Sequence, residues 1–328
     1  MCAEAREREE LPGLAVAAAS GGDVVFAGAW GEADLENHVT LATDAVFEIA
    51  SVTKLFTAEA VMLLVQDGAL ALERTLGDLL PDAPEAWRAV RIESILAHQS
   101  GLPSYTEADG YWRGAALDRG VDGILELVSG LPLQFEPGER FAYDNTGFYL
   151  LGLVIERVSG RSYGAFLAER IFGPLDMGVT RVNDYGALVP CRVRGYSRDG
   201  ARVVNKPPYS TSNTFSAGVL LASAGDLARF GAAVQSGTLL DPQLRRMMRT
   251  PRPTRLGNEL SGGFRVGLGW FLMDDGDRRF EGHGGGIVGF RSCLIRRPEE
   301  GVCVVALANA DWWREPESLA LEVARRVS

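Results

Sequence analysis

The sequence predicts an α+β protein: an antiparallel β-sheet flanked by helices, assembled from both chain ends, with a mostly helical region inserted between the two halves. Three observations carry that expectation. Short apolar runs joined by turn residues stand near the N-terminus and again near the C-terminus, and the residues between them follow helical spacing. The last stretch is a further helical pattern.

Residues 14–19 and 24–30 are apolar runs separated by Gly21-Gly22-Asp23, a hairpin signal because glycine accepts the positive φ of a tight turn. The middle of the chain then reads as helices over 52–67, stopped by Gly68, and over 92–98 and 121–131. Two more follow over 146–159, stopped by Gly160, and over 163–171. A second strand pair, 288–295 and 302–309, closes over Arg297-Pro298-Glu299-Glu300-Gly301, and 316–327 reads as a helix that packs on the sheet. Residues 1–70 and 215–328 are therefore expected to form the sheet region and 71–214 the helical region, with an active site at their interface. No internal repeat or low-complexity linker separates them.

Composition excludes several classes. With 46% apolar residues and 9% aromatics in 328 residues, the chain can bury a large core, which argues against disorder. A net charge of -10, with no Lys/Arg cluster interleaved with aromatics, argues against a nucleic-acid partner. No apolar run reaches the eighteen or so residues of a membrane span, and the charged start has no apolar leader core, so a cytoplasmic protein is expected. The four cysteines lack metal-ligand spacing, and no metal or organic cofactor is implied. Cys293 and Cys303 flank the second hairpin and either face each other or stand as isolated buried thiols.

Of 33 basic residues only Lys54 and Lys206 are lysines, and Lys54 lies inside the nearly all-apolar helix 52–67. A buried ammonium is costly, and lysine relieves that cost by losing its proton, which arginine cannot do. Ser51 lies three residues earlier, at the start of the helix and on the same face. A neutral amine within hydrogen-bonding reach can make a serine hydroxyl nucleophilic. Ser51 could also be a plain N-cap, so the pair is not specific on its own.

The flanking residues add specificity. Phe47-Glu48-Ile49-Ala50-Ser51-Val52-Thr53-Lys54 resembles the nucleophile segment of the serine β-lactamase and penicillin-binding-protein superfamily, particularly its class C-like branch of esterases and D-amino-acid peptidases. The resemblance continues in order through Leu96-Ala97-His98-Gln99-Ser100-Gly101-Leu102-Pro103, the segment from Phe135 to Asn145, Pro174-Leu175-Asp176-Met177, Gly267-Leu268-Gly269-Trp270 and His283-Gly284-Gly285. It implies a β-lactamase/transpeptidase-like fold, with Ser51 as the acylated nucleophile and Lys54 as its base partner. Tyr143 and Asn145 match the family's Y-x-N element. A phenolate on Tyr143 would become accessible beside a cationic Lys54, so that the pair shuttles the serine proton, and Asn145 would orient Lys54 or the substrate amide. His283-Gly284-Gly285 occupies the place of the K-T-G strand, and the amides of Ser51 and Gly286 would form the oxyanion hole.

His283 departs from that pattern. It replaces a permanent cation with a group mostly neutral at pH 7, which tilts the expectation from a penicillinase toward neutral esters, amides or peptides. Asp144 either adds negative charge at the mouth of the site or caps the following helix. Two decoys are set aside. Gly160-Arg161-Ser162-Tyr163-Gly164 has the letters of a nucleophile elbow, but a helix rather than a strand precedes it. The glycine run 282–286 lacks the Lys-Ser/Thr of a phosphate loop. Lys206 is expected to be an ordinary exposed loop cation. The aromatics of 105–113 and 207–215 either rim the pocket or pack the loops.

The expected function is that of a serine hydrolase working through a Ser51 acyl-enzyme on small esters, amides or peptides. A class C-like β-lactamase, an acyltransferase and a catalytically silent penicillin- or peptide-binding protein are the alternatives. The partner is a small-molecule substrate, with no nucleic acid and no membrane, and the sequence leaves the oligomeric state open.

Overall fold

Gly21 and Gly22, with φ of 63° and 101°, turn the chain between β1 (Gly13–Ser20) and β2 (Asp23–Asp34), as two adjacent glycines can. In the computed structural model, which describes residues 1–257, 264–275 and 278–327, this hairpin joins a larger antiparallel sheet. The remaining strands are β3 (Val39–Thr40), β4 (Arg265–Val266), β5 (Phe271–Asp275), β6 (Arg278–Ile287), β7 (Phe290–Arg297) and β8 (Val302–Ala308). Their order is β3-β2-β1-β8-β7-β6-β5-β4, so strands from opposite chain ends meet at the centre, with Val16 opposite Ala306. The mixed architecture expected from the sequence is the one observed.

Both faces of the central strands are covered, which accounts for their continuous apolar runs. On one face Ala15, Ala17, Val305 and Leu307 belong to the core that includes α2 (Thr53–Gln66), α3 (Asn145–Ser159) and α4 (Ala224–Ser236). On the other, Leu14, Val16, Val304 and Ala306 pack with Leu319 and Val323 of α5 (Pro316–Val327). Cys2 and Ala5 of α1 (Cys2–Arg8) join this second layer. That first helix was not expected, because its charged residues mask a packed face of only two small side chains. The tail helix has the expected bounds.

Other boundaries shift for local reasons. The helix expected over 121–131 is only Gly120–Glu126, in a stretch diluted by Gly120, Gly123 and Gly130. The one expected over 163–171 is α-helical over Tyr163–Leu167 and then widens into a π turn over Ala168–Phe172. Cys293 pairs in register with Ala306 and Cys303 with Arg296, and the two thiols pack in cores on opposite faces of the sheet, so they are free and do not face each other. Lys206 corrects another expectation: it is 19% exposed and ion-paired with the buried Glu48 at 2.5 Å. Among the described residues no helix is long and apolar enough to cross a membrane.

Candidate active site

Ser51 owes its position to the turn that precedes it. Ala50 adopts φ 47°, a left-handed conformation that costs a β-carbon-bearing residue about 1–2 kcal/mol. That bend carries the chain from strand Phe47–Glu48 into the turn Ala50–Val52, which runs directly into α2. Neighbours on both sides hold it: Ile49 donates its N–H to Leu220 O at 3.0 Å, and Ser292 Oγ donates to Ile49 O at 2.7 Å. Strand β6 passes so close that a β-carbon on Gly285 would lie 2.4 Å from Ile49 O and 3.2 Å from Ser51 N. Glycine is required there to let the strand lie against the Ser51 backbone.

Twelve of the fourteen residues of α2 are buried, and Lys54 has no exposed surface. Its ammonium nitrogen lies 3.2 Å from Ser51 Oγ, 2.8 Å from Asn145 Oδ1 and 2.8 Å from Ala217 O. Burial pushes its pKa from 10.5 down to about 7, with the Asp144 carboxylate pulling the other way. Asn145 is itself fixed, donating from Nδ2 to Thr106 Oγ1 at 3.0 Å. The Ala217 carbonyl comes from the turn Thr211–Ala217, where Phe215 takes φ 37° and packs on Tyr149 and Tyr163.

Tyr143 lies with its ring 4.9 Å from Lys54 Nζ and packs against His98 at 4.6 Å between centroids, the rings tilted by 31°. Its hydroxyl is buried without a hydrogen-bond partner of ordinary geometry. Burial raises its pKa, against the opposing pull of the nearby Ser51 hydroxyl. The tyrosinate expected beside a cationic lysine is therefore disfavoured, because burial drives both groups toward their neutral forms. Lys54 is the group poised to gain and lose a proton near neutrality.

Asp144 resolves its two alternatives in favour of capping. It is 2% exposed, and its carboxylate accepts from Gly147 N at 2.9 Å and from Ser100 Oγ at 2.9 Å, satisfying the start of α3. His98 Nδ1 accepts from Asp144 N at 3.2 Å, which ties the ring under Tyr143 to the same cap. Among the decoys, Gly160 is the left-handed C-cap of α3 at φ 69°, and Ser162 caps the following helix by accepting from Ala165 N at 3.3 Å.

His283 sits on β6 with its ring 5.9 Å from that of Tyr143 and 4.9 Å from that of Phe271. Burial pushes its pKa down to about 3, with the Lys54 charge adding to that, so the ring is neutral at physiological pH. Residues 283–287 pair only with β7, since β5 pairs with Arg278–Gly282, and they leave an open strand edge. Along that edge lies a cavity of about 620 Å³ bordered by Ser51, Tyr143, His283, Gly284 and Gly286, and roofed by Glu317 and Leu321 of α5.

The structure thus brings Ser51, Lys54, Tyr143, Asn145, His283, Gly285 and Gly286 together. Sequence reasoning missed the Ala217 carbonyl, Thr106, Phe271 and Glu317. No local motif marks them, because each reaches the site through the fold. The aromatics of 105–113 and 207–215 mostly pack the loops: Tyr111 and Tyr209 share a hydroxyl contact at 2.6 Å, and neither borders the cavity. Among the described residues no group of three or more His, Cys, Asp or Glu side chains is arranged to hold a metal ion.

Known proteins resemble this chain in sequence and fold. The family described as Beta-lactamase matches residues 2–327. Penicillin-binding protein 4* of Bacillus subtilis (strain 168) is 29% identical over 338 residues, covering 98% of this chain and 73% of that protein. Among solved structures, a D-stereospecific amidohydrolase from Streptomyces sp. superposes with a TM-score of 0.84 at 26% identity, over 100% of this chain and 97% of that one. D-amino acid amidase from Ochrobactrum anthropi SV3, complexed with D-phenylalanine, gives a TM-score of 0.83 at 26% identity, again over 100% and 97%. Matched along nearly its whole length, the chain belongs to the Beta-lactamase family and is a serine hydrolase.

Proposed function

We propose that the protein hydrolyses small amides, esters or short peptides through an acyl-enzyme on Ser51. The observation that carries this reading is the 3.2 Å contact between Ser51 Oγ and a fully buried Lys54 whose pKa stands near 7. Neutral Lys54 takes the Ser51 proton as Oγ bonds to the substrate carbonyl carbon. The carbonyl π pair moves onto oxygen, where the amides of Ser51 and Gly286 would stabilise it. As the tetrahedral intermediate collapses, the amine or alcohol departs with the proton held by Lys54, passed directly or through the Tyr143 hydroxyl. Water then repeats the sequence on the ester of Ser51, giving up a proton to Lys54 and releasing the acid.

Two facts favour amides and esters over penicillins. The neutral His283 supplies no cation for a substrate carboxylate. The two similar structures just described are an amidohydrolase and an amino acid amidase. A panel of p-nitrophenyl esters, amino-acid amides of both configurations and nitrocefin tests the reading. Steady turnover of esters or amides by the wild type, lost in Ser51→Ala, is expected. A single stoichiometric burst without turnover, or nitrocefin as the best substrate, would contradict it.

A further inference from the structure

Of the described residues bordering the Ser51 cavity, Glu317 alone has an acidic or permanently basic side chain, and burial holds the His283 ring neutral. It comes from the first turn of α5. Its carboxylate lies over the Gly284 backbone, where a β-carbon would stand 2.3 Å from Oε1. Among the described residues no Lys or Arg forms an ion pair with it. Arg291 is the cation near enough to favour its charged form, but that guanidinium donates to Phe290 O at 3.1 Å.

A carboxylate in the first turn of a helix is favourable in itself, and a solvent-facing one would serve that purpose equally. This one is partly buried in a cavity walled by Phe271, Met273, Ile295 and Leu321, and burial penalises its charge. His283 adds to the pattern. Its Nδ1 lies 2.5 Å from Gly284 O, which can only accept, so Nδ1 carries the proton and the buried, unpartnered Nε2 is left as an acceptor. Among the described residues that border the cavity there is thus one carboxylate and no lysine or arginine.

We propose that Glu317 is a specificity-determining residue that receives a primary ammonium on the substrate, as in the free α-amino group of an amino-acid amide. This rests on the acyl-enzyme reading above. An ammonium brings positive charge and three N–H donors, which match what the cavity lacks, whereas a substrate carboxylate would meet repulsion from Glu317. Because the charge lies beside the strand edge that positions the scissile carbonyl, losing the pair weakens capture of the substrate more than the chemical step.

The test compares alanine p-nitroanilide with N-acetyl-alanine p-nitroanilide, both configurations of each, in the wild type, Glu317→Gln, Glu317→Asp and Ser51→Ala. The wild type should prefer the free amine. In Glu317→Gln that preference, read as the ratio of kcat/KM values, should fall by roughly 10- to 100-fold, mainly through KM, and Glu317→Asp should recover part of it. Loss of stability alone would lower both substrates together and leave the ratio unmoved. An unmoved ratio with activity still dependent on Ser51 would overturn the role of Glu317 and leave the acyl-enzyme standing. Hydrolysis that survives Ser51→Ala would overturn both.

Discussion

Lys54 Nζ lies 3.2 Å from Ser51 Oγ on a lysine with no exposed surface. Two fixed acceptors, Asn145 Oδ1 and Ala217 O, each at 2.8 Å, claim two of its N–H groups. The remaining tetrahedral position faces the serine. As an ammonium Lys54 donates there, and as an amine it presents a lone pair to the serine proton.

The pH dependence follows from that geometry. Since burial brings Lys54 to about 7, kcat/KM for a neutral ester should rise with pH through an ascending limb centred near that value. Lys54→Arg keeps a cation that cannot deprotonate and should lose at least ~10³-fold while the fold is retained. A limb centred near 4 or 10, or an active arginine variant, would contradict the assignment.

Asp144 offers a way to move that limb. Its charge raises the pKa of Lys54, so Asp144→Asn should shift the midpoint to lower pH. Asparagine caps helices about as well as aspartate, so stability should change by less than about 1 kcal/mol. A midpoint that stays fixed or moves up would show that the carboxylate does not act on the lysine.

Gly285→Ala tests the close approach of β6 to the nucleophile. The added methyl would meet Ile49 O at 2.4 Å, and the backbone must part to admit it. Displacing Ser51 by a fraction of an ångström should cost on the order of 10²-fold in kcat/KM with the secondary structure unchanged by circular dichroism. Wild-type activity would mean that the strand does not set the serine.

Glu59, five residues beyond Lys54 on α2, carries a stability prediction instead. It is 1% exposed with Oε1 unpartnered, and burial raises its pKa from 4.5 to about 7 against the pull of Arg249 and Arg296. The folded state thus holds a proton that the unfolded state has lost, and stability falls as pH rises from 4.5 toward 7. Glu59→Gln mimics the protonated form and should raise Tm at about pH 8, by up to about 3 kcal/mol in stability, with little change at about pH 4. A lower Tm for the variant at the higher pH would show that the nearby arginines compensate the charge fully.

What was legible in the sequence was local. Ser51, Lys54, Tyr143 and Asn145 sit in short segments whose spacing and flanks survive without knowledge of the fold, and the glycine pair at 21–22 and the caps at Gly68 and Gly160 mark where elements stop. The rest depends on long-range placement. Glu317 reads as an ordinary first-turn acid until α5 is laid across the edge of β6, and Ala217 offers only a backbone carbonyl, which no residue letter marks. Lys206 looked exposed because its partner Glu48 lies 158 residues away. Asp144 had two readings that only burial could separate. The protonation states of Lys54 and Tyr143 depend in the same way on how much water the packed chain excludes.

The acyl-enzyme is tested most directly by intact mass after incubation with a fluorophosphonate, followed by peptide mapping. A single adduct on Ser51, absent from Ser51→Ala and formed faster as pH rises through about 7, is the predicted result. No adduct, or an adduct on a residue other than Ser51, would contradict it.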